Sequence, residues 1–344
     1  MLTIGAYCTD IHFGKRGNSE QHNQDCLNYI EWFCQQVKST KVDYIAVLGD
    51  WNENRTAINL DTLKYSYTGA KMLNQLNIPV YFCVGNHDCL HRNSRDVHSI
   101  IPFNEFSNFI VIDKPTIVDQ IKNKALFCPY LFHDEYPLLM EYNNIPLWAG
   151  HFEFKGFKVT STGMVMPNGP NPDLFVGPKH IISGHFHKRQ IKNNIVYMGN
   201  TFPMDFSDAG DNERGMMFYD HSKQKYSFKD WKDCPKFLKV NLSSLLNNSV
   251  KLPEQSRVIC VADIELSYEE SVKIRQKYLT DCNLREFSLQ ETALQDIAVS
   301  DTEIDIDTSN LQLETIDQLV IEMLNSVELD DIDNNILVKI WEQL

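Results

Sequence analysis

Five apolar runs in this chain each stop at a short polar cluster, and that repetition limits the fold more than any other feature. Residues 2–7 run into Cys8-Thr9-Asp10-Ile11-His12, residues 42–48 into Gly49-Asp50, and residues 79–84 into Gly85-Asn86-His87-Asp88. Later, residues 145–149 run into Gly150-His151, and residues 179–183 into Gly184-His185-Phe186-His187. Helical patterns separate the first three runs. Cys26, Leu27, Ile30, Phe33, Cys34 and Val37 recur at three- and four-residue steps within 21–38, and a second helix is expected over 60–76. This alternation predicts an α/β layered sheet with functional residues at the carboxyl ends of parallel strands. The glycine after the third run is expected to turn the backbone sharply and lift Asn86 and His87 onto the sheet rim.

From about residue 109 the expected strands shorten: 109–112, 116–119, 125–129, 195–198 and 216–220 join the runs at 145–149 and 179–183. The strand at 216–220 is taken as the last of this domain, and 156–177 as an irregular loop. Periodicity loosens over 221–236, where a boundary is placed. A strand at 257–266, a helix at 269–278 and a strand at 284–289 then form a small βαβ-like unit. The expected organisation is a first domain over 1–230, a small α+β domain over 231–298 and an acidic helical tail over 299–344.

The net charge of −14 sits mostly in that tail: residues 301–344 hold twelve of the 46 acids and one of the 32 bases. The remaining 34 acids and 31 bases nearly balance, so a polyanionic partner would need a local basic face. No apolar run reaches the roughly 18 residues of a membrane span. The first residues lack the pattern of a signal peptide, and nine scattered cysteines without a Cys-x-x-Cys suit reduced thiols. A cytoplasmic protein with no membrane contact is expected.

Collected, the run ends supply Asp10, His12, Asp50, Asn86, His87, His151, His185 and His187. Two divalent cations a few ångströms apart need such a set, with mixed oxygen and nitrogen donors and one shared carboxylate. Mn²⁺ fits this mixture, with Mg²⁺ as the alternative, and the lack of ligand cysteines argues against a structural zinc site. In Gly184-His185-Phe186-His187 the two histidines alternate, so an extended chain would point both the same way. Singly, each of these clusters could be a surface turn or a capped strand end.

The order Asp-x-His, Gly-Asp, Gly-Asn-His-Asp, Gly-His, Gly-His-x-His resembles the signature of the calcineurin-like metallophosphoesterases, over residues 1 to about 220. Tyr197-Met198-Gly199-Asn200-Thr201-Phe202-Pro203 and Arg214-Gly215-Met216-Met217-Phe218 resemble segments of the SbcD-type DNA nucleases, above all the phage recombination endonuclease subunits. The resemblance implies a layered α/β/β/α sandwich with a capping domain that clamps DNA. It implies one metal on Asp10, His12 and His187, a second on Asn86, His151 and His185, and Asp50 bridging. His87 would then protonate the leaving 3′ oxygen or position the phosphate, and Asp88 would orient His87 by a hydrogen bond. Glu53 stands where relatives often carry His or Asp, and Asn200 where Ser or Thr is commoner.

The implied activity is that of a metal-dependent DNA nuclease, exonuclease on double strands and endonuclease on single strands, acting in recombination and repair. His91, Arg92 and Arg95 after the Asn-His turn, and Lys188 and Arg189 after the last histidine pair, are candidate DNA-backbone contacts. In the tail, Leu313, Ile316, Val320, Met323, Leu324 and Val327 form one helical stripe. Ile332, Ile336, Leu337, Ile340, Trp341 and Leu344 form a second, entered through Asp330 and Asp331. By the same resemblance these helices hold the coiled-coil base of an SMC-like ATPase, and the nuclease is a homodimer. Two rivals remain: a phosphatase or small-molecule phosphodiesterase of the same superfamily, and a silent scaffold for the ATPase. Gly49-Asp50-Trp51-Asn52-Glu53-Asn54 lacks the Asp-Arg-Gly of protein phosphatases, and no ligand is missing.

Overall fold

The computed structural model describes residues 1–160 and 163–291. Its first strands are β1 (Ile4–Cys8), β2 (Tyr44–Leu48), β3 (Val80–Cys83) and β4 (Phe109–Ile112), nearly all buried in β1–β3. They run parallel in that order and continue one sheet, which β11 (Gly215–Asp220) and β12 (Lys225–Asp230) extend antiparallel beyond β1. A second sheet contains β5 (Thr116–Val118), β6 (Ala125–Cys128), β7 (Leu147–Gly150), β8 (His180–Ser183), β9 (Gln190–Lys192) and β10 (Ile195–Tyr197). Its order is β5-β6-β7-β8-β10-β9, with the four inner strands parallel and both edges antiparallel.

The sheets pack face to face through Tyr7, Tyr44, Ala46 and Leu48 of the first and Phe127, Leu147, Ala149 and Ile182 of the second. On the outer face of the first sheet, helices Glu20–Thr40 and Leu60–Asn74 bury Tyr29, Ile30, Phe33 and Leu73. Ser19 and Asn59 cap them by accepting backbone N–H bonds from His22 and Asp61. The outer face of the second sheet is covered by a 3₁₀ segment, Tyr136–Tyr142, and by irregular chain that presses Phe152, Phe154, Phe157 and Phe175 onto Trp148 and Tyr197. This is a layered α/β sandwich whose fourth layer is thin.

A three-stranded parallel sheet follows: β13 (Phe237–Asn241), β14 (Arg257–Ala262) and β15 (Glu286–Glu291), with helices Leu242–Leu246 and Tyr268–Asp281. Buried Asp25 on the first long helix lies 2.6 Å from Arg285 and 4.0 Å from Arg257, tying this sheet to the sandwich. No helix among the described residues is long and apolar enough to cross a membrane. The two amphipathic stripes of the tail lie outside the described residues.

Two strand expectations need correction. The strand at 216–220 is not the last of the sandwich, because 225–230 pairs with it as the edge strand β12. Its Tyr226 and Phe228 alternate with exposed Lys225, Ser227 and Lys229, a pattern too charged to stand out. The stretch 237–241 also forms a strand, in register with β14.

Candidate metal centre

The carboxyl ends of β1, β2, β3, β7 and β8 meet along one rim of the sandwich, and every polar cluster singled out in the sequence sits there. Three groups form among the described residues. Asp10, His12 and His187 bring their ligand atoms together, as do Asp50, His151 and His185, and His12 is shared with a third group that adds Glu53 and His87. In the first, His12 Nε2 is 3.8 Å from Asp10 Oδ1 and 3.1 Å from His187 Nε2. In the second, His151 Nε2 is 3.3 Å from Asp50 Oδ2, and Asn86 Oδ1 lies 2.9 Å from both His151 Nε2 and His185 Nδ1. Asp50 Oδ2 is also 3.8 Å from His12 Nε2, so its carboxylate faces both groups.

Surrounding contacts hold this arrangement in a strained backbone. Asp10, His12, Asp50 and His185 all have left-handed φ values, of 52°, 54°, 52° and 84°. Such conformations are uncommon away from glycine and are kept only where surrounding contacts enforce them. At His185 the chain is therefore not extended, as the alternation of His185 and His187 had suggested. The kink sends His185 to one group and His187 to the other, while Phe186 packs on Tyr197. Gly85 serves a different purpose from the expected sharp turn, for its φ lies outside the left-handed region. A Cβ there would collide with the Asp50 amide nitrogen and carboxylate, so glycine is required by close approach.

An outer layer fixes the imidazoles. His12 Nδ1 lies 2.6 Å from Glu53 Oε2, His151 Nδ1 donates to Leu48 O at 2.7 Å, and His185 Nε2 lies 3.0 Å from Glu153 Oε2. Each contact occupies one ring nitrogen and leaves the other facing the centre, which is how metal-ligating histidines are oriented. His87 Nδ1 donates to Glu53 O at 2.9 Å, and its backbone N–H to Asp50 Oδ1 at 2.8 Å. The expected bond from His87 to Asp88 is not made. Asp88 is wholly buried, and its two oxygens accept the backbone N–H groups of Trp51, Asn52 and Gly85 at 2.9–3.1 Å. It clamps the turns carrying Asp50 and Asn86.

Electrostatics follow from crowding. Burial pulls His12 and His151 toward the neutral form. Contact with Asp10 and Glu53 nevertheless raises His12 to about 10, and Asp50 raises His151 to about 9. Burial pushes Asp50 upward, but His151, His87 and His12 hold its carboxyl well below the usual range. For Asp88, burial and then the Asp50 charge raise the carboxyl to about 7. The rim thus concentrates anionic oxygen and sets imidazole nitrogens 3.1 and 3.2 Å apart in two facing pairs. Facing nitrogens with carboxylate and amide oxygens beside them suit bound divalent cations.

The basic candidates divide. Arg95 donates to the carbonyls of Asp113 and Tyr130 at 2.8 Å and to Glu135 Oε2 at 2.7 Å, and Arg189 donates to Asp230 at 2.8 Å and lies 4.1 Å over Phe228. Both are spent inside the protein, so neither is the free DNA contact expected. Lys188 pairs with Asp211, whereas His91 and Arg92 are exposed beside the site. Sequence reading overlooked Glu153, Arg55 and Tyr130. Glu153 carried a signal, standing two residues after His151; Arg55 and Tyr130 reach the rim from loops with no motif.

Fold and site together define a phosphoester hydrolase of the divalent-metal type. Residues 6–189 match the family described as calcineurin-like phosphoesterase, and the chain belongs to that family. It is 22% identical over 348 residues to exonuclease subunit 1 of Enterobacteria phage T4, an alignment covering 97% of this chain and 96% of that protein. A crystal structure of Pseudomonas putida nuclease MPE aligns with 64% of this chain and 85% of its own, at 14% identity and a TM-score of 0.31.

Proposed function

We propose that the chain is a DNA nuclease that hydrolyses phosphodiesters at a two-metal centre. The observation that carries this reading is the shared position of Asp50 between two imidazole–carboxylate groups, with His87 beside them. Asp10, His12 and His187 would hold one divalent cation, and Asn86, His151 and His185 the other, with Asp50 common to both. When bound, such a pair supplies a water of lowered pKa and neutralises charge on the phosphate. His87 has its Nδ1–H committed to Glu53 O, so Nε2 is the atom that hands a proton to the departing 3′ oxygen. Its side chain is 34% exposed, enough for a phosphate to approach.

DNA as substrate is supported by the near full-length similarity to a phage exonuclease subunit. The word "subunit" in that protein's name also supports assembly with a second chain. We assign that role to an SMC-like coiled-coil ATPase held by the tail stripes, with a homodimeric nuclease in the cytoplasm of a phage-infected host. The domain limits at 230 and 298, the clamping role of the three-stranded sheet, Mn²⁺ as the metal, the double-strand exonuclease and single-strand endonuclease modes, and service in recombination and repair belong to the same reading.

Its test is a Mn²⁺ titration of cleavage on linear duplex and single-stranded DNA, comparing the natural protein with His87→Ser. Metal-dependent degradation should fall by about 10²–10⁴-fold in the variant, with calorimetric Mn²⁺ binding unchanged. Brisk hydrolysis of bis-p-nitrophenyl phosphate without DNA cleavage would move the substrate to small phosphodiesters. Silence on both substrates with intact Mn²⁺ binding would favour a scaffold.

A further inference from the structure

Two recesses beside the metal centre share a wall. The nearer, of 370 Å³, opens on Asn86 and His185 and is lined by Arg55, Arg92, Tyr130 and Phe132. The farther, of 1110 Å³, continues along Arg92, Tyr130 and Phe132 to the loop after the Asn-His turn. Together they form one trough leading away from the second ligand group.

Its chemistry is uneven in an informative way. The Tyr130 ring stands 5.6 Å from that of His185 and meets Phe132 edge-on at 5.9 Å, and neither ring is fully covered. Arg95 braces Phe132, its guanidinium 4.9 Å from the ring centroid and tied to Glu135. Arg55 and Arg92 line the same recess and form no ion pair among the described residues. Farther out the wall turns acidic, with Asp96, Asp113 and Asp134.

We propose that this trough is a subsite for the unpaired nucleotides next to the scissile phosphate, with bases stacking on Tyr130 and Phe132 and phosphates meeting Arg55 and Arg92. The inference rests on the nuclease reading above. Aromatic rings beside guanidinium groups are what a single strand needs: its bases expose their faces, whereas a duplex keeps them stacked inside. Acidic residues at the far end repel phosphate, so the platform serves the first bases only. A duplex end would have to fray to enter.

The test uses an oligonucleotide carrying 2-aminopurine near its end, bound by the full chain in Ca²⁺, with quenching as the readout of stacking. Binding should quench the single strand. Phe132→Ala should abolish the quench and weaken binding about tenfold, and Phe132→Trp should restore both. Arg92→Ala should lower the salt dependence of single-strand binding by about 0.7 in the log–log slope. Unchanged fluorescence on binding, or an equal loss of affinity for a blunt duplex in Phe132→Ala, would overturn the subsite in a protein that still cleaves DNA in Mn²⁺. Absence of both cleavage and binding would overturn the nuclease reading, and the subsite with it.

Discussion

At the carboxyl ends of the parallel strands, His12 and His151 sit against carboxylates; at the opposite end, where Tyr44 and His180 open β2 and β8, His221 sits against tyrosines. Both places are buried, and both build polar networks around histidine. Yet His12 and His151 are held up at about 10 and about 9, while burial lowers His221 to about 4. Tyr44 makes the difference visible. Its hydroxyl reaches His221 Nε2 at 2.6 Å and also the Tyr7 hydroxyl, a network satisfied while every member is neutral. The rim network is anionic and becomes satisfied when cations arrive. Burial alone lowers a histidine; at His12 and His151 the adjoining carboxylates outweigh it.

The comparison is broken most sharply at Asp50. Asp50→Asn removes the one charge that faces both ligand groups, so both Mn²⁺ binding events should weaken by more than about 100-fold, above the usual loss from an outer-layer change. Calorimetry that still resolves two tight sites would sink the bridging role.

Smaller changes separate the two groups. Of the two ligand groups, Glu53→Gln loosens the contact behind His12, and Glu153→Gln the one behind His185. Each should cost about 10–100-fold in Mn²⁺ affinity at one site and leave the other alone. Equal losses at both sites in either variant would show that the carboxylates act through overall charge instead of ring orientation.

Asp88 tests the clamp. Asp88→Asn places an amide where three backbone N–H groups converge, so at least one donor is left facing a donor. A stability loss of about 3 kcal/mol in urea denaturation is expected. A variant as stable as the natural protein would mean that the turn is set elsewhere.

Much of this rim was legible because its chemistry coincides with strand ends. Asp10, Asp50, Asn86, His151, His185 and His187 each lie within a few residues of the end of an apolar run, so finding the strands found the side chains that gather at the rim. What stayed hidden depends on distances across the fold. Asp88 follows His87 in sequence yet points back into β2's turn, so adjacency suggested a partner that geometry denies. Arg95 and Arg189 looked free because Glu135 and Asp230, their counter-ions, lie 40 and 41 residues away. The edge strand β12 was hidden by its lysines, which are tolerated because an edge faces solvent.

The remaining expected effect lies at the far end and concerns acid. The folded pKa of His221, about 4, is below the unfolded value of about 6.5, so its burial stabilises fully above pH 6.5 and less as pH falls toward 4. Protonation makes both ring nitrogens donors, so the Tyr44 hydroxyl must then accept from Nε2. The loss between pH 7 and pH 4 should be at most about 3 kcal/mol. His221→Gln keeps an acceptor near Tyr44 but cannot take up the proton, so its thermal midpoint should fall less steeply over that interval. Carboxylates at the metal centre titrate alike in both proteins and cancel in the difference. Parallel curves would show that His221 accepts a proton without cost, and the electrostatic contrast between the two ends would fail at this one.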